Sequence, residues 1–481
     1  MTPSDPTRRA FLKASAAAGL GATVGLPLAT RLGASEASAG STAARLEFPP
    51  RPNGQKPVHD LTTRPLERVR VAVIGLHRGM EHVQCAADAE FADLIAVCDI
   101  FGDRAKAAAD LYEKVRGKRP ELYSGSDHVW EQLVDRDDID AVYVATPWDW
   151  HVPMALRALE GGKHAFVEVS AALTVDDCWR LVDASERRQR HCVLLENCCY
   201  GENELFVLNL AHQGVFGEPV HAECAYLHDL RHVLFELGGE GDWRRGYHLK
   251  WNGNLYPTHG LGPVAQRLSL GRGDQFLYLT SVSSPEASLT RYRNRVNPNG
   301  GRHSGETYVC GDMNTSMIKT ALGRTILLQH DVVLPRPYSR INALYGTEAT
   351  FFDYPPRLSL DNPKRFGLEA TNSEQWLGDK DLAAMREKFT HPLWRYLQDR
   401  AKNSGHGGMD FVMNWRLLDC LRRGATPDSV VYDAAAWSSL IELSRRSVAN
   451  GSMPVSIPDF TRGLWTSVRT PAISEALPGP V

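Results

Sequence analysis

From residue 69 onward the chain alternates short apolar runs with stretches of helical periodicity, and this alternation restricts its fold more than any other feature. The runs are "VRVAVIG" ending at Gly75, "DLIAVCD" ending at Asp99, "DAVYVATP" at 140–147, "HAFVEV" at 164–169 and "CVLLEN" at 192–197. Between them lie "DRAKAAADLYEKV", "HVPMALRALEGG" and "TVDDCWRLVDASERRQR", the last opened by Thr174 with Asp177 in capping-box positions. A strand with one wet face alternates apolar and polar residues. Runs apolar on both faces, joined by amphipathic helices, belong instead to a parallel, doubly wound sheet. The pattern predicts an α/β chain that begins with a Rossmann-type domain over 67–199.

Ligands of such sheets sit beyond the carboxyl ends of the strands, so the residues after each run are the informative ones. The first turn, Gly75-Leu76-His77-Arg78-Gly79, departs from GxGxxG: His77 replaces the second glycine and Met80 stands at the third. The helix that follows still offers N–H groups to a pyrophosphate, and Arg78 can add a charge-assisted contact. Asp99 lies 24 residues after Gly75. There a carboxylate holds ribose hydroxyls and repels a 2′-phosphate, which favours NAD over NADP; its alternative role is a helix cap.

After Cys199, "ELFVLNLAHQGVFGEPVHAECAYLHD" reads as helix, turn and extended run, and "TSMIKTALGRTILLQHDVV" and "RINALYGTEATFFDY" are β-rich. This order predicts an α+β domain over 200–466 whose mostly antiparallel sheet covers the nucleotide crevice, with the site between the domains. Residues 467–481 read as a tail.

The net charge is −3, with no long basic or acidic run. That argues against a nucleic-acid groove or an anionic membrane partner and points to a small or uncharged ligand, leaving a homo-oligomer open. Nine cysteines are scattered without a CxxC pair or a Cys/His ladder, so neither a metal site nor a disulfide framework is expected. Adjacent Cys198 and Cys199 read as buried residues or as a redox pair.

The opening stretch "TRRAFLKASAAAGLGATVGLPLA" carries Arg8 and Arg9, then a mild Ala/Gly/Leu segment, with "ASA" at 37–39. Residues 1–39 are similar to a twin-arginine signal, which moves folded proteins to the periplasm or the cell exterior. Residues 40–66, rich in Ser, Pro, Arg and Gly, read as a linker. No later segment reaches eighteen uninterrupted apolar residues, so no membrane span is expected. Outside the cytoplasm a nicotinamide cofactor is not recycled, so the chemistry has to restore it in place.

The stretch "DAVYVATPWDWHVPMALRALEGGKHAFVEVSAALT" resembles the glucose-fructose oxidoreductase/inositol dehydrogenase (Gfo/Idh/MocA) family. In that family the fifth strand ends in Glu-Lys-Pro, and the lysine polarises the reacting alcohol; here it reads Glu168-Val169-Ser170. "PWDWHVPMAL", "EVSAALT", "LENCCYG", "GNLYPTHGLGPVAQ", "LQHDVVLPRPYSR", "GHGGMDF" and "PDFTRGLW" together resemble glycoside hydrolase family 109, the NAD-dependent α-N-acetylgalactosaminidases, over 69 to about 466. The resemblance implies NAD contacts from His77, Arg78, Asp99, Trp148, Asp149, Trp150, His151, Glu168, Val169 and Asn197. It implies sugar contacts from Tyr226, Arg244, Tyr256, Pro257, Thr258, His259 and Tyr338.

It also implies a cycle outside the two-carboxylate rule of glycosidases. Oxidation at C3 acidifies the C2 hydrogen, a base removes it, the C1 oxygen leaves by elimination, water adds and the hydride returns. His259 stands where the broader family puts its catalytic histidine, and imidazole suits general acid/base work. Tyr200, Tyr256 and Tyr338 are candidates for the C2 base or the leaving-group acid, provided positive charge from Arg244 or NAD lowers a phenol pKa. "GHGGMDF" reads as a flexible turn or as a substrate loop. The rival readings are an exported sugar oxidoreductase and a sugar-binding protein with a structural NAD.

Overall fold

The computed structural model of the chain describes residues 48–402, 404–469 and 473. The stretch read as an export signal, residues 40–47 and most of the tail lie outside the described residues. Strands β1 (Val69–Ile74), β2 (Ala92–Cys98), β3 (Glu121–Tyr123), β4 (Ala141–Val144), β5 (His164–Val167) and β6 (Cys192–Leu194) form a parallel sheet in the order β3-β2-β1-β4-β5-β6. Helices Gly102–Arg116, His151–Glu160 and Val175–Arg188 occupy the stretches predicted for them. Every residue of β4, β5 and β6 is buried, as layers on both faces require. The Thr174 hydroxyl accepts from the Asp177 N–H at 3.1 Å, which is the expected cap.

Strand order reverses between β1 and β4, so the turns after them diverge and leave a crevice. Two glycines set its floor. At Gly75, φ is +88° and a Cβ would stand 2.3 Å from the Ala145 carbonyl oxygen; at Gly79 it would meet the Gly75 oxygen at 2.0 Å. The departures from GxGxxG thus leave intact the two positions where backbone packs against backbone.

The second sheet comprises β7 (Pro219–Leu227), β8 (Phe276–Ser283), β9 (Asn314–Thr320), β10 (Thr325–Asp331), β11 (Ala343–Gly346), β12 (Ala349–Phe352), β13 (Arg357–Leu360) and β14 (Val455–Ser456). Its order is β13-β12-β11-β7-β10-β9-β8-β14, antiparallel throughout except for the parallel β7–β10 pair. The helix Val431–Ala449 packs on both β8 and the Rossmann helix Val175–Arg188. Its Ser438 hydroxyl accepts from the Ala171 N–H at 3.2 Å and its Glu442 carboxylate from the Val175 N–H at 2.7 Å. One helix therefore fixes the two sheets to each other.

The stretch expected to be a linker is, from Phe48 on, a docked strap. Arg51 donates to both oxygens of the wholly buried Glu186, at 3.0 and 3.1 Å, and Arg462 joins the same carboxylate at 2.8 Å. The Val58 N–H donates to the Tyr432 hydroxyl, and the Thr63 and Leu66 N–H groups donate to the carbonyls of Gly424 and Arg422. Composition suggested a free segment, yet ion pairs and backbone hydrogen bonds hold it across both halves.

Candidate active site

Three chambers that adjoin through shared lining residues lie at and beyond the switch point. The innermost, about 350 Å³, lies along the carboxyl edge of the parallel sheet. Its walls are largely apolar, with Ile100, Phe101, Trp130, Trp148, Trp150 and Met154 among them. Asp99 stands at the end of β2 and accepts the Leu76 N–H at 2.7 Å on one oxygen and the Phe101 N–H at 3.0 Å on the other. A carboxylate oxygen has a second lone pair, so each remains able to accept a ribose hydroxyl. The Gly75 cradle, the carboxylate and the flat apolar walls fit a dinucleotide. NAD would lie along them, held by the first turn, Asp99, Trp148, Trp150, His151 and Val169, all of which line this chamber.

Within "WDWH" the side chains divide their work. Trp148 donates its indole N–H to the Val169 carbonyl at 2.9 Å, which locks the β4 and β5 ends together. His151 is buried with its ring nitrogens 2.7 Å from the carbonyls of Ser170 and Thr146. Asp149 does not face the chamber: its carboxylate accepts the Tyr247 hydroxyl at 2.8 Å, a link to the second domain.

The middle chamber, about 300 Å³, shares His77, Arg78, Glu168, Glu240, Arg244 and Tyr256 with the first. Asn197, Tyr226, Glu236, His259 and His406 complete its polar lining. Arg78 donates through Nε to Glu168 at 3.0 Å and through both terminal nitrogens to Asp410 at 3.0 and 2.7 Å. Burial pushes the Glu168 carboxyl up, but the Arg78 guanidinium and a 3.0 Å bond with His82 outweigh it and hold it at about 2. Glu168 is therefore ionised and takes part in this ion-pair network as well as lining the chamber. Asn197 likewise donates to Asp410, at 2.8 Å.

Arg244 supplies the positive charge on the opposite wall. Its Nε donates to Glu240 at 2.5 Å, and its guanidinium lies over the rings of Trp243, Tyr256 and Trp148 at 4.8, 5.5 and 5.6 Å. Tyr226, Tyr256 and His259 form an aromatic cluster with ring centres 4.7 to 5.1 Å apart. His259 is the second residue of the helix Thr258–Arg267, and its Nδ1 lies 2.6 Å from the buried carboxylate of Glu196. Of the "YPTH" stretch, Tyr256 and His259 face the chambers; Pro257 and Thr258 sit behind them at the helix start.

The outer chamber, about 510 Å³, shares Tyr226, His259 and His406 with the middle one. Tyr338 lines it and accepts from Arg340 at 2.8 Å. His406, on the loop of "GHGGMDF", stands at the threshold with its side chain 55% exposed and its Nδ1 2.7 Å from Asp410. The loop is thus a wall of the site, not a free turn.

The tyrosines differ from the expectation. Burial drives the phenols of Tyr226, Tyr256 and Tyr338 above their ordinary range, and Arg244 or Arg340 offsets only part of it. Tyr200 is not in the site at all: its hydroxyl donates to Asp428 at 3.1 Å, in a buried cluster with Arg416. The short helical turn Asn197–Tyr200 directs Asn197 to the chamber and carries Tyr200 past it into the core. Conversely, Glu196, Glu240, His406 and Asp410 are site residues not singled out from the sequence. Glu196 and Asp410 sit inside motifs that were recognised, and a carboxylate at a strand end beside Asn197 was the available signal.

A Rossmann sheet whose crevice is walled on its far side by helix and loop residues of a second domain, and adjoins an ionisable sugar-sized chamber, defines a nicotinamide-using enzyme of carbohydrates. Residues 69–195 match the oxidoreductase family with the NAD-binding Rossmann fold, and residues 200–467 match the C-terminal domain of glycosyl hydrolase 109. The chain belongs to glycosyl hydrolase family 109 and is a glycosidase with NAD as cofactor. It is 45% identical to an α-N-acetylgalactosaminidase of Shewanella oneidensis, over 95% of this chain and 96% of the relative. A glycosyl hydrolase family 109 protein of Shewanella baltica is also 45% identical, over 96% and 97%. Among solved structures, levoglucosan dehydrogenase in complex with NADH shares the fold at a TM-score of 0.62 and 17% identity, covering 82% of this chain and all of that one. Myo-inositol 2-dehydrogenase from Lactobacillus plantarum does so at 0.55 and 13%, over 81% and 99%.

Proposed function

We propose that the chain hydrolyses α-linked N-acetylgalactosamine by a cycle that borrows an electron pair from the sugar and returns it. The observation that carries this reading is the adjacency of the chambers: the cofactor crevice shares six lining residues with a chamber of sugar size, which shares three with the outer chamber. NAD, when bound, supplies a reversible electron-pair acceptor beside that middle chamber. The sugar bound there has its C3 side toward the crevice and its C1 oxygen toward the outer chamber.

The residues divide the proton work by depth. His259, backed by Glu196, is placed to take the C3 hydroxyl proton. A ketone at C3 makes the C2 hydrogen acidic, so its removal needs no strong base. Tyr226 and Tyr256 line this chamber and are the candidates for that base, although burial holds both phenols above their ordinary range and Arg244 offsets only part of the rise. His406, at the threshold and backed by Asp410, is placed to protonate the departing C1 oxygen and then to activate the water that adds. Arg244 and the ionised Glu168 and Glu240 supply fixed charges for sugar hydroxyls.

An oxidoreductase reading is not favoured, because the lysine that polarises an alcohol elsewhere in the superfamily is Val169 here. A binding-protein reading leaves two carboxylate-backed histidines at one chamber unexplained. We further assign the chain to the periplasm or cell exterior, supported by the twin arginines Arg8 and Arg9. No helix among the described residues is long and apolar enough to cross a membrane. Stripping the cofactor and restoring it tests the catalytic reading. Hydrolysis of an aryl α-N-acetylgalactosaminide is expected to vanish and return with NAD; undiminished hydrolysis by the stripped protein overturns it.

A further inference from the structure

We infer that Glu196 is the positioning residue of His259: its buried carboxylate selects the ring nitrogen that faces the sugar and steadies the cation formed when that nitrogen takes a proton. This rests on the reading of His259 as the group that deprotonates the C3 hydroxyl.

Glu196 lies two residues beyond the last strand of the Rossmann sheet, at the start of the turn Asn197–Tyr200, and is 2% exposed. A carboxylate buried there requires a counter-charge. Among the described residues its ion-pair partner is His259, at 2.6 Å, and the same oxygen accepts the Cys198 N–H at 3.2 Å. Burial pushes the Glu196 carboxyl up, yet the His259 imidazole outweighs it and holds the group below its ordinary range. With Nδ1 committed to Glu196, Nε2 is the atom that His259 presents to the chambers it lines.

The helix bearing His259 is built for this approach. Its sequence "THGLGPVAQR" holds two glycines and a proline, each unfavourable in a helix. A Cβ at Gly262 would lie 2.9 Å from Glu196 Cγ and 3.1 Å from Cys199 Sγ, and one at Gly260 would lie 2.5 Å from the Ala225 nitrogen. Side chains at either site would lift the helix from the 196–199 segment and from β7. Poor helix formers at these positions are the condition for His259 to reach Glu196. During reaction the C3 hydroxyl proton moves to Nε2 as the carbon's hydrogen departs with its electron pair. The same proton goes back when the pair is restored, so the dyad ends the cycle as it began.

The test uses the full chain with its NAD. Glu196→Gln keeps the volume and a hydrogen-bond acceptor but removes the charge. It is expected to retain bound NAD and fold while losing roughly 10²-fold or more in kcat, as charge removal behind a catalytic imidazole does. Independently of turnover, ¹⁵N-histidine-labelled holoenzyme should show a far-downfield Nδ1–H resonance that disappears in Glu196→Ala and in Gly262→Ala. Wild-type kcat in Glu196→Gln, or no such resonance in the parent protein, overturns the assignment. If Glu196→Gln does not fold, Gly262→Ala and the resonance decide. A parent protein that shows the resonance but releases no N-acetylgalactosamine overturns the functional reading and leaves the dyad geometry standing.

Discussion

Replacing Gly260 by alanine sets two opposed effects against each other, and the structure fixes which wins. In a helix interior the added methyl is worth about 1 kcal/mol in propensity. At Gly260 that methyl would sit 2.5 Å from the Ala225 nitrogen and 2.8 Å from its oxygen. Ordinary contacts are ~3.5 Å or more, so the overlap is about 1 Å against backbone that cannot swing aside. Overpacking of this kind typically costs ~1–3 kcal/mol and exceeds the propensity gain. The helix relieves it by shifting about 1 Å, which carries His259 with it, and a misplacement of that size is worth ~10²-fold in rate. Gly246, in the helix Gly241–His248, is the control, since a Cβ there meets nothing within 4 Å. Gly246→Ala should gain up to about 1 kcal/mol with kcat unchanged. Urea unfolding and turnover of an aryl α-N-acetylgalactosaminide, both with saturating NAD, measure the pair. Equal stabilisation by the two substitutions with unaltered kcat would refute the packing argument.

Acid should weaken the protein in a defined window. Glu168 is held at about 2 against an ordinary 4.5, so its stabilisation is complete above 4.5 and lost as pH falls toward 2; on the order of 3 kcal/mol should disappear from the unfolding free energy there, and Arg78→Met should weaken this dependence, leaving the part that His82 supplies. His406→Ala should lower kcat ~10²-fold or more on a disaccharide but under ~10-fold on a nitrophenyl glycoside, whose leaving group needs no proton. Equal losses on both substrates would remove His406 from that role.

The Rossmann half was legible because burial on both faces writes itself into continuous apolar runs and the ligand rule points to strand ends. Strand β3 was not, since its three residues form an edge with two of them exposed, leaving no apolar pattern. The parallel β7–β10 pairing joins residues a hundred positions apart, beyond any local signal. The strap shows the same limit. Arg51 and Arg462 meet Glu186 from 135 and 276 positions away, so composition alone suggested a linker. In the site, Asp99, His259 and Arg244 were legible from position and motif, while Tyr200 was misassigned because a single short turn decides which neighbour of Asn197 faces the crevice. Glu196 and Asp410 act through histidines that are distant from Glu196 in sequence and held by a loop before Asp410, and only the folded chain brings each pair together.

The central claim is that the sugar's electron pair leaves and returns within one turnover, with the C2 hydrogen exchanged between. Hydrolysis of an α-N-acetylgalactosaminide by the NAD-loaded enzyme in deuterated water, followed by mass and NMR analysis of the product, tests it directly. The account predicts one deuterium at C2 of the released N-acetylgalactosamine and no net change in reduced cofactor. Full hydrolysis with unlabelled C2 would contradict it.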